Sequence, residues 1–298
     1  MDFVAPSISV VVPTYYRPVE LSKLLDSILK QTRKPMEIII VDDTPIPSIK
    51  RVCEQYEKGF QEIGIHLFYV KNPKKRSISI ARNLGARMAK GDIVQFVDSD
   101  VILTSGYLQE VLKTFEKHPE ALGVSGSIES NYRMPPGVRG NLSQTLPKLF
   151  FLTHYARNSC KHFEEPFGVS KEIQCEYFGG ANMAFKYSVF SEFQFDENLE
   201  KYSYMETILF TGQIDKTYPG RLILTPEAKC YHEASKEGRM EKSEARVHLV
   251  RCRKYVLIRL FGLKGVLMFG WQILGVLVFR IIWRIQRKSS AAFESYGV

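Results

Sequence analysis

The chain has 298 residues, 45% of them apolar, which is enough material for a full core and excludes a disordered protein. Its formal charge of +9 is uneven: residues 1–232 carry 28 Lys+Arg against 27 Asp+Glu, whereas residues 233–298 carry 13 against 5. A neutral body with a basic, apolar tail speaks against a nucleic-acid partner and points the tail toward an anionic membrane surface.

The first half alternates strands and helices. "ISVVVPT" (8–14) reads as a buried strand. "PVELSKLLDSILKQT" (18–32) is a helix with Leu21, Leu24, Leu25 and Ile28 on one face and Pro18 in its first turn. "EIIIVDD" (37–43) is a strand, "IPSIKRVCEQYEKGF" (46–60) a helix, and "IHLFYV" (65–70) a strand. "SISIARNLGARMAK" (77–90) is a helix stopping at Gly91, followed by the strand in "GDIVQFVDSDV" (91–101). The helix "SGYLQEVLKTFEKH" (105–118) and the strand "ALGVSGSI" (121–128) complete this half. Continuous apolar strands alternating with helices predict an α/β fold, with a mostly parallel, Rossmann-like sheet covered by helices on both faces.

From about 131 to 172 the pattern dissolves into a loop with a helix. "QCEYFGGANMAFK" (174–186) reads as a strand interrupted at Gly179 and Gly180, where something approaches the backbone closely. "YSYMETILFTGQI" (202–214) is helical, and "RLILTPEAKCYH" (221–232) reads as two short strands ending at His232. The five cysteines, at 53, 160, 175, 230 and 252, form no C-x-x-C pair; such a set suits buried thiols in a reducing compartment. The first residues read as a strand without a basic flank, so no secretory signal is expected.

In open sheets of this kind, ligands bind beyond the carboxyl ends of the strands. Polar residues cluster at three such ends: Thr14; Asp42 and Asp43; and Asp98, Ser99 and Asp100. A lone D-x-D carries little weight, because Asp and Ser also end strands as turn formers. Three coincident strand ends carry more. The first strand is followed by no G-x-G-x-x-G or Walker loop, and the chain has no G-x-S-x-G elbow. Carboxylates at strand ends suit a nucleoside diphosphate held with a hard divalent ion, Mg²⁺ or Mn²⁺.

"SVVVPTYYRPVELSKLLDSILKQ", "IIIVDD", "SISIARNLGARMAKGDIVQFVDSDV", "EYFGGANMAFKYSVF", "FDENL" and "YSYMETILF" occur in the order found in the family 2 glycosyltransferases. Over residues 6–235 the chain resembles that family, which implies the GT-A fold and an inverting transfer from a nucleotide sugar. The resemblance implies that Pro13, Thr14, Tyr16 and Arg17 hold base and ribose, with Asp42 and Asp43 beside them. It also implies that Arg76 and Arg82 reach the nucleotide, and that Asp98 and Ser99 contact it. Asp98, Asp100 and His232 would hold the metal. Gly179, Gly180, Ala181 and Asn182 would line the sugar and acceptor cavity.

One position departs from that pattern. Similar sequences usually read Glu-Asp where this chain reads Glu206-Thr207, and the Asp is the expected general base. A threonine hydroxyl has no accessible conjugate base near neutral pH. Either Glu206 takes over, or Thr207 marks an altered enzyme, such as a sugar-nucleotide or glycan-binding protein on the same fold.

The expected organisation is a nucleotide-sugar-binding half (1–130), an acceptor and catalytic half (131–235) and a membrane-associating helical tail (236–298). In the tail, the apolar run from Gly265 to Phe279 is broken only by Gln272. Fifteen helical residues rise about 22 Å, short of a hydrocarbon core of ~30 Å. Snorkelling by Arg280 and Arg284 would stretch the run through Trp283, so a short span stays open, as does a buried core helix. The favoured expectation is a monotopic helix within residues 250–288, at the cytoplasmic face of the membrane. Tethering there fits a lipid-linked glycan acceptor.

Overall fold

The structure, a computed structural model, describes residues 6–129, 170–201, 205–233, 235, 237–238 and 240–295. The loop and helix expected over 131–172 lie almost wholly outside these residues. Residues 1–131 and 158–252 form one compact unit, and residues 132–157 with 253–298 form a second.

In the first unit, β1 (Ile8–Thr14), α1 (Pro18–Leu29), β2 (Glu37–Asp42), α2 (Ser48–Glu62), β3 (His66–Lys71), α3 (Ile78–Met88) and β4 (Ile93–Val97) follow the predicted alternation. Next come a short β5 (Val101–Leu103), α4 (Tyr107–Lys117) and β6 (Gly123–Glu129). After residue 169 come β7 (Ile173–Gln174), β8 (Asn182–Lys186), α5 (Glu206–Thr217) and β9 (Leu222–His232). The sheet order is β3-β2-β1-β4-β8-β6-β9-β5, with β7 also on β9.

The apolar strands are buried on both faces because successive side chains point to opposite sides. Val10, Val12, Ile38 and Ile40 enter one core with the α1 residues Leu21, Leu24, Leu25 and Ile28 and the α4 residues Leu108 and Val111. Val11, Ile39 and Val41 enter the other core with Ala81 and Ala86 of α3 and Phe210 and Ile214 of α5. Helices on both faces are thereby required, as expected.

The sheet is mixed: it has the expected parallel ladders, β6 with β9 among them, and antiparallel ones besides. Strands β1 to β4 pair in parallel, but β8 is antiparallel to both β4 and β6, and β5 and β7 are antiparallel to β9. An apolar run carries no direction; its connections decide that. The strand expected over 174–186 is interrupted around Gly179 and Gly180 as its sequence suggested, and only Asn182–Lys186 joins the centre of the sheet. The two strands expected over 221–232 are instead one strand of eleven residues. Its pairing with β6 steps from Gly126↔Thr225 to Ser127↔Lys229, a bulge beside Pro226, which has no N–H to give the ladder.

Free thiols were expected throughout. Cys53, Cys230 and Cys252 are buried thiols, but Cys175 is disulfide-bonded.

Gly85 shows how tightly α3 sits on the sheet. A Cβ there would fall inside the envelope of Val11 Cγ1. Alanine normally gains up to about 1 kcal/mol over glycine within a helix. Here overpacking against a strand that cannot retreat outweighs the gain. Gly85→Ala is expected to destabilise the protein by about 1–2 kcal/mol net, read by urea denaturation; a more stable variant would show that α3 is free to move outward.

At the C-terminal end, α6 (Lys242–Phe261) and α7 (Leu263–Ser295) meet at Gly262, whose φ of +58° favours glycine. Among the described residues, no helix is long and apolar enough to cross a membrane.

Candidate active site

The site lies where β1, β2 and β4 end. Asp43 N–H donates to Thr14 O (3.0 Å), tying the first two strand ends together. The chain then turns sharply at Tyr16, a non-glycine residue with φ +55°, whose N–H donates to Thr44 Oγ1 (2.8 Å). Such a conformation is costly and persists only where its surroundings hold it.

Pro13, Thr14, Arg17, Asp43, Arg76, Asp98 and Ser99 were expected at the nucleotide, and they line one pocket. Tyr15, Ile78, Lys201 and Gly238 line it too. The Arg76 guanidinium sits 3.6 Å above the centroid of the Tyr15 ring and donates to Gly238 O (2.7 Å). Asp43 accepts from Asn72 Nδ2 (2.5 Å), and burial pushes its carboxyl above the usual range despite that bond.

Two expectations here change. Tyr16 is not among the lining residues; its ring meets the Tyr15 ring edge-on at 4.6 Å between centroids, and Tyr15 is the residue that faces the pocket. Side-chain alternation beyond a strand depends on the turn, and the left-handed Tyr16 reverses it. Asp42 is fully buried behind the pocket, where it accepts from Thr44 N–H (2.6 Å) and Tyr69 O–H (2.9 Å). It braces the turn, while Asp43 faces the ligand space.

Asp98, Asp100 and His232 converge, each offering a ligand atom within 4.8 Å of the others. The missed strand β5 explains the convergence: Val101 pairs with His232 across β5 and β9. Asp100 is 1% exposed. Its Oδ2 meets Arg17 Nη1 at 3.0 Å and accepts from Ser235 N–H (3.0 Å). Its buried Oδ1 has no hydrogen bond, although His232 Nε2 stands 3.3 Å away. Burial alone would raise the Asp100 carboxyl; the His232 imidazole and the Arg17 guanidinium outweigh it and hold the group below the usual range. The Asp98 carboxyl is pushed up, because burial outweighs the opposing charge of Arg82.

Arg82 was expected at the nucleotide, but its side chain is buried and spent on the protein. Nη2 donates to Asp98 Oδ1 (3.1 Å) and Gly180 O (2.8 Å), while Nη1 donates to Glu206 Oε1 (2.6 Å) and Thr207 Oγ1 (3.0 Å). It links the first carboxylate of D-x-D to the start of α5. Glu206 Oε1 also accepts from the Thr207 hydroxyl (3.0 Å).

Of the four residues expected to line the sugar and acceptor cavity, Gly180 packs against this hub. A Cβ there would come within 3.1 Å of Thr207 Oγ1 and 3.2 Å of Arg82 Nη2. Gly179 has open space where a Cβ would stand. Ala181 is buried, and its carbonyl accepts from Asp98 N–H (3.0 Å). Asn182 does not face a cavity: it is 2% exposed, and its Oδ1 accepts from Tyr107 O–H (2.9 Å) and Gly126 N–H (2.7 Å). It pins β8 to β6 and α4. Pattern alone could not separate a strand's first inward residue from a cavity residue.

The sequence model of the family described as "Glycosyl transferase family 2" matches residues 9–187, more than half of the chain. The chain belongs to glycosyl transferase family 2. It is 30% identical over 188 residues to the glucosyl-dolichyl phosphate glucuronosyltransferase of Haloferax volcanii, covering 62% of this chain and 54% of that protein. It is 33% identical over 108 residues to the GalNAc(5)-diNAcBac-PP-undecaprenol beta-1,3-glucosyltransferase of Campylobacter jejuni, covering 36% and 34%. The chain thus spans about half of the first relative and a third of the second.

Among solved structures, a mannosyltransferase from Pyrobaculum calidifontis in complex with GDP-Man and Mn²⁺ superposes with a TM-score of 0.60 at 17% identity, covering 99% of this chain and 82% of that one. S. aureus TarS 1–349 in complex with UDP-GlcNAc gives 0.55 at 16%, covering 92% and 73%. The fold of this family 2 glycosyltransferase is accordingly GT-A, with a mixed sheet.

Lys201 and Gly238 were beyond sequence reasoning, since neither lies near a strand end in the chain. Gly238 does carry a structural signature. Its φ is +68°, and a Cβ would come 2.5 Å from Tyr15 O. Gly238→Ala is expected to cost about 1–2 kcal/mol of stability and to weaken nucleoside diphosphate binding, because Arg76 leans on this carbonyl. Calorimetric titration and urea denaturation would check both; unchanged affinity would separate this loop from the nucleotide.

Proposed function

We propose that this enzyme is an inverting glycosyltransferase that moves a sugar from a nucleoside-diphosphate sugar to a lipid-linked glycan or similar acceptor, with Mg²⁺ or Mn²⁺, at the cytoplasmic membrane face. The convergence of Asp98, Asp100 and His232 beside the Tyr15–Asp43–Arg76 pocket carries the proposal. Two carboxylates and an imidazole are donors such ions accept. The buried Asp100 Oδ1 without a hydrogen bond is an acceptor that a cation would satisfy. Asp98, Asp100 and His232 would hold the ion, which when bound offsets charge on the departing diphosphate.

The chain's own residues supply the rest. The Tyr15 ring, clamped on one side by Arg76, offers an aromatic surface to a base. Asp43 offers an acceptor for base or ribose donors, with Asn72 fixing its orientation. Arg82 fixes Asp98 relative to Glu206 and Thr207, so the start of α5 is held at a set distance from the D-x-D. Inversion requires one displacement, with a base taking the proton of the acceptor hydroxyl.

Relatives and neighbours support this reading by name: two relatives are named for dolichyl and undecaprenol carriers, and two neighbours for GDP-Man with Mn²⁺ and UDP-GlcNAc. The test is a thermal-shift panel of UDP-, GDP- and dTDP-sugars with and without Mn²⁺, followed by transfer to polyprenyl-phosphate-linked sugar. A ligand that binds only the folded state raises its melting temperature. If no nucleotide sugar stabilises the protein, the pocket has another ligand.

A second reading, a sugar-nucleotide-binding protein with impaired turnover, is favoured by one observation: Glu206 is committed to Arg82 and its neighbour is Thr207.

A further inference from the structure

Helix α7 wears its leucines outward. Leu263, Leu267, Leu274, Leu277 and Ile281 are 79%, 70%, 46%, 50% and 59% exposed. At about 100° per residue they fall within an arc of roughly 80°, forming a stripe some 27 Å long. On the opposite side of the same helix Gln272 is only 2% exposed. A helix that hides its glutamine and shows its leucines is the reverse of an ordinary surface helix. An apolar strip this continuous marks a surface meant to be covered.

Charge identifies what covers it. Residues 251–288 contain nine Lys+Arg and no Asp or Glu. A second copy of the helix laid on this stripe would bring two such segments together, like charge against like. An anionic bilayer supplies both requirements, acyl chains for the leucines and headgroups for the basic residues. Among the described residues no helix is long and apolar enough to cross. We propose that α7 lies along an anionic lipid surface, with the Leu263–Ile281 stripe sunk at the boundary between headgroups and acyl chains. The proposal is independent of the nucleotide pocket, to which no residue of the stripe belongs.

The test uses the full chain and vesicles of phosphatidylcholine, with and without phosphatidylglycerol. Of the two tryptophans, Trp283 is replaced in Trp283→Phe, leaving Trp271 at the edge of the stripe as the sole reporter. On binding to the mixed vesicles, Trp271 emission is expected to shift to the blue and to be quenched by lipids brominated along the acyl chain. Leu267→Glu and Leu274→Glu are each expected to weaken co-sedimentation by about tenfold or more. Both positions are exposed, so folding should survive; nucleoside diphosphate affinity in solution is the control. Added salt should weaken binding without abolishing it, because apolar burial is not screened. Binding that salt removes completely, or that leaves Trp271 unquenched, would overturn the proposal in favour of a purely electrostatic contact. A dimer of the parent chain that Leu267→Glu converts to monomer, with vesicle binding unchanged, would overturn it in favour of a second copy.

Discussion

Asp100→Asn should abolish the Mn²⁺-dependent part of nucleoside diphosphate binding while the protein stays folded. The asparagine keeps the shape and one carbonyl oxygen for Ser235 N–H, so the local backbone survives. What disappears is charge. Asp100 is the only one of the three convergent groups that is nearly inaccessible, and its Oδ1 has no hydrogen bond to lose. Altering groups that merely orient metal ligands costs about 10- to 100-fold in affinity, so removing a ligand's charge should cost at least about 100-fold. The variant also leaves Arg17, 13% exposed, facing a neutral group, at a stability cost of about 1–3 kcal/mol. Calorimetric titration of UDP and GDP with and without Mn²⁺ separates the two effects. If the metal-dependent gain persists in Asp100→Asn, Asp98 and His232 hold no ion with it, and its role is to bind Arg17, His232 and Ser235 N–H within the protein.

Thr207→Asp should raise transfer by about 10²- to 10⁴-fold, the usual contribution of an aligned base, with little change in donor affinity. The reason lies in how Glu206 is spent. Its Oε1 accepts from both Arg82 Nη1 at 2.6 Å and Thr207 Oγ1 at 3.0 Å, so that oxygen is tied to positioning Arg82. A group that anchors a buried guanidinium is poorly placed to take up a proton. Glu206→Gln should therefore act first on stability, lowering it by roughly 1–3 kcal/mol through the weakened charged hydrogen bond. Transfer assays on both variants, with donor binding and denaturation in parallel, discriminate. Should Glu206→Gln abolish turnover while stability holds, Glu206 is the base. Thr207→Asp should then do little, or harm by adding a second carboxylate beside the first. If neither change alters turnover, the base lies outside the start of α5.

The apolar runs and their spacing determined most of the first half of this protein. Val10, Val11 and Val12 could only form a strand buried on both sides, and the leucines of α1 could only face one of those sides. Strand ends rich in carboxylates located the site, since side chains at β1, β2 and β4 must emerge at one edge of a parallel group. Other matters belonged to the tertiary structure alone. The direction of β8 depends on its connections, and five apolar residues read alike in either direction. Which of two adjacent residues faces the pocket was decided by tertiary surroundings: Tyr15 rather than Tyr16 beside a left-handed turn, and Asp43 rather than Asp42 because Thr44 N–H and Tyr69 O–H hold Asp42 behind it. Arg82 looked like a residue for the ligand because its partners lie up to 125 positions away. Only folding brings Asp98, Gly180, Glu206 and Thr207 around it. Sequence shows what each side chain can do locally; the low-dielectric enclosure that commits Arg82 to its carboxylates exists only once the chain has closed around it.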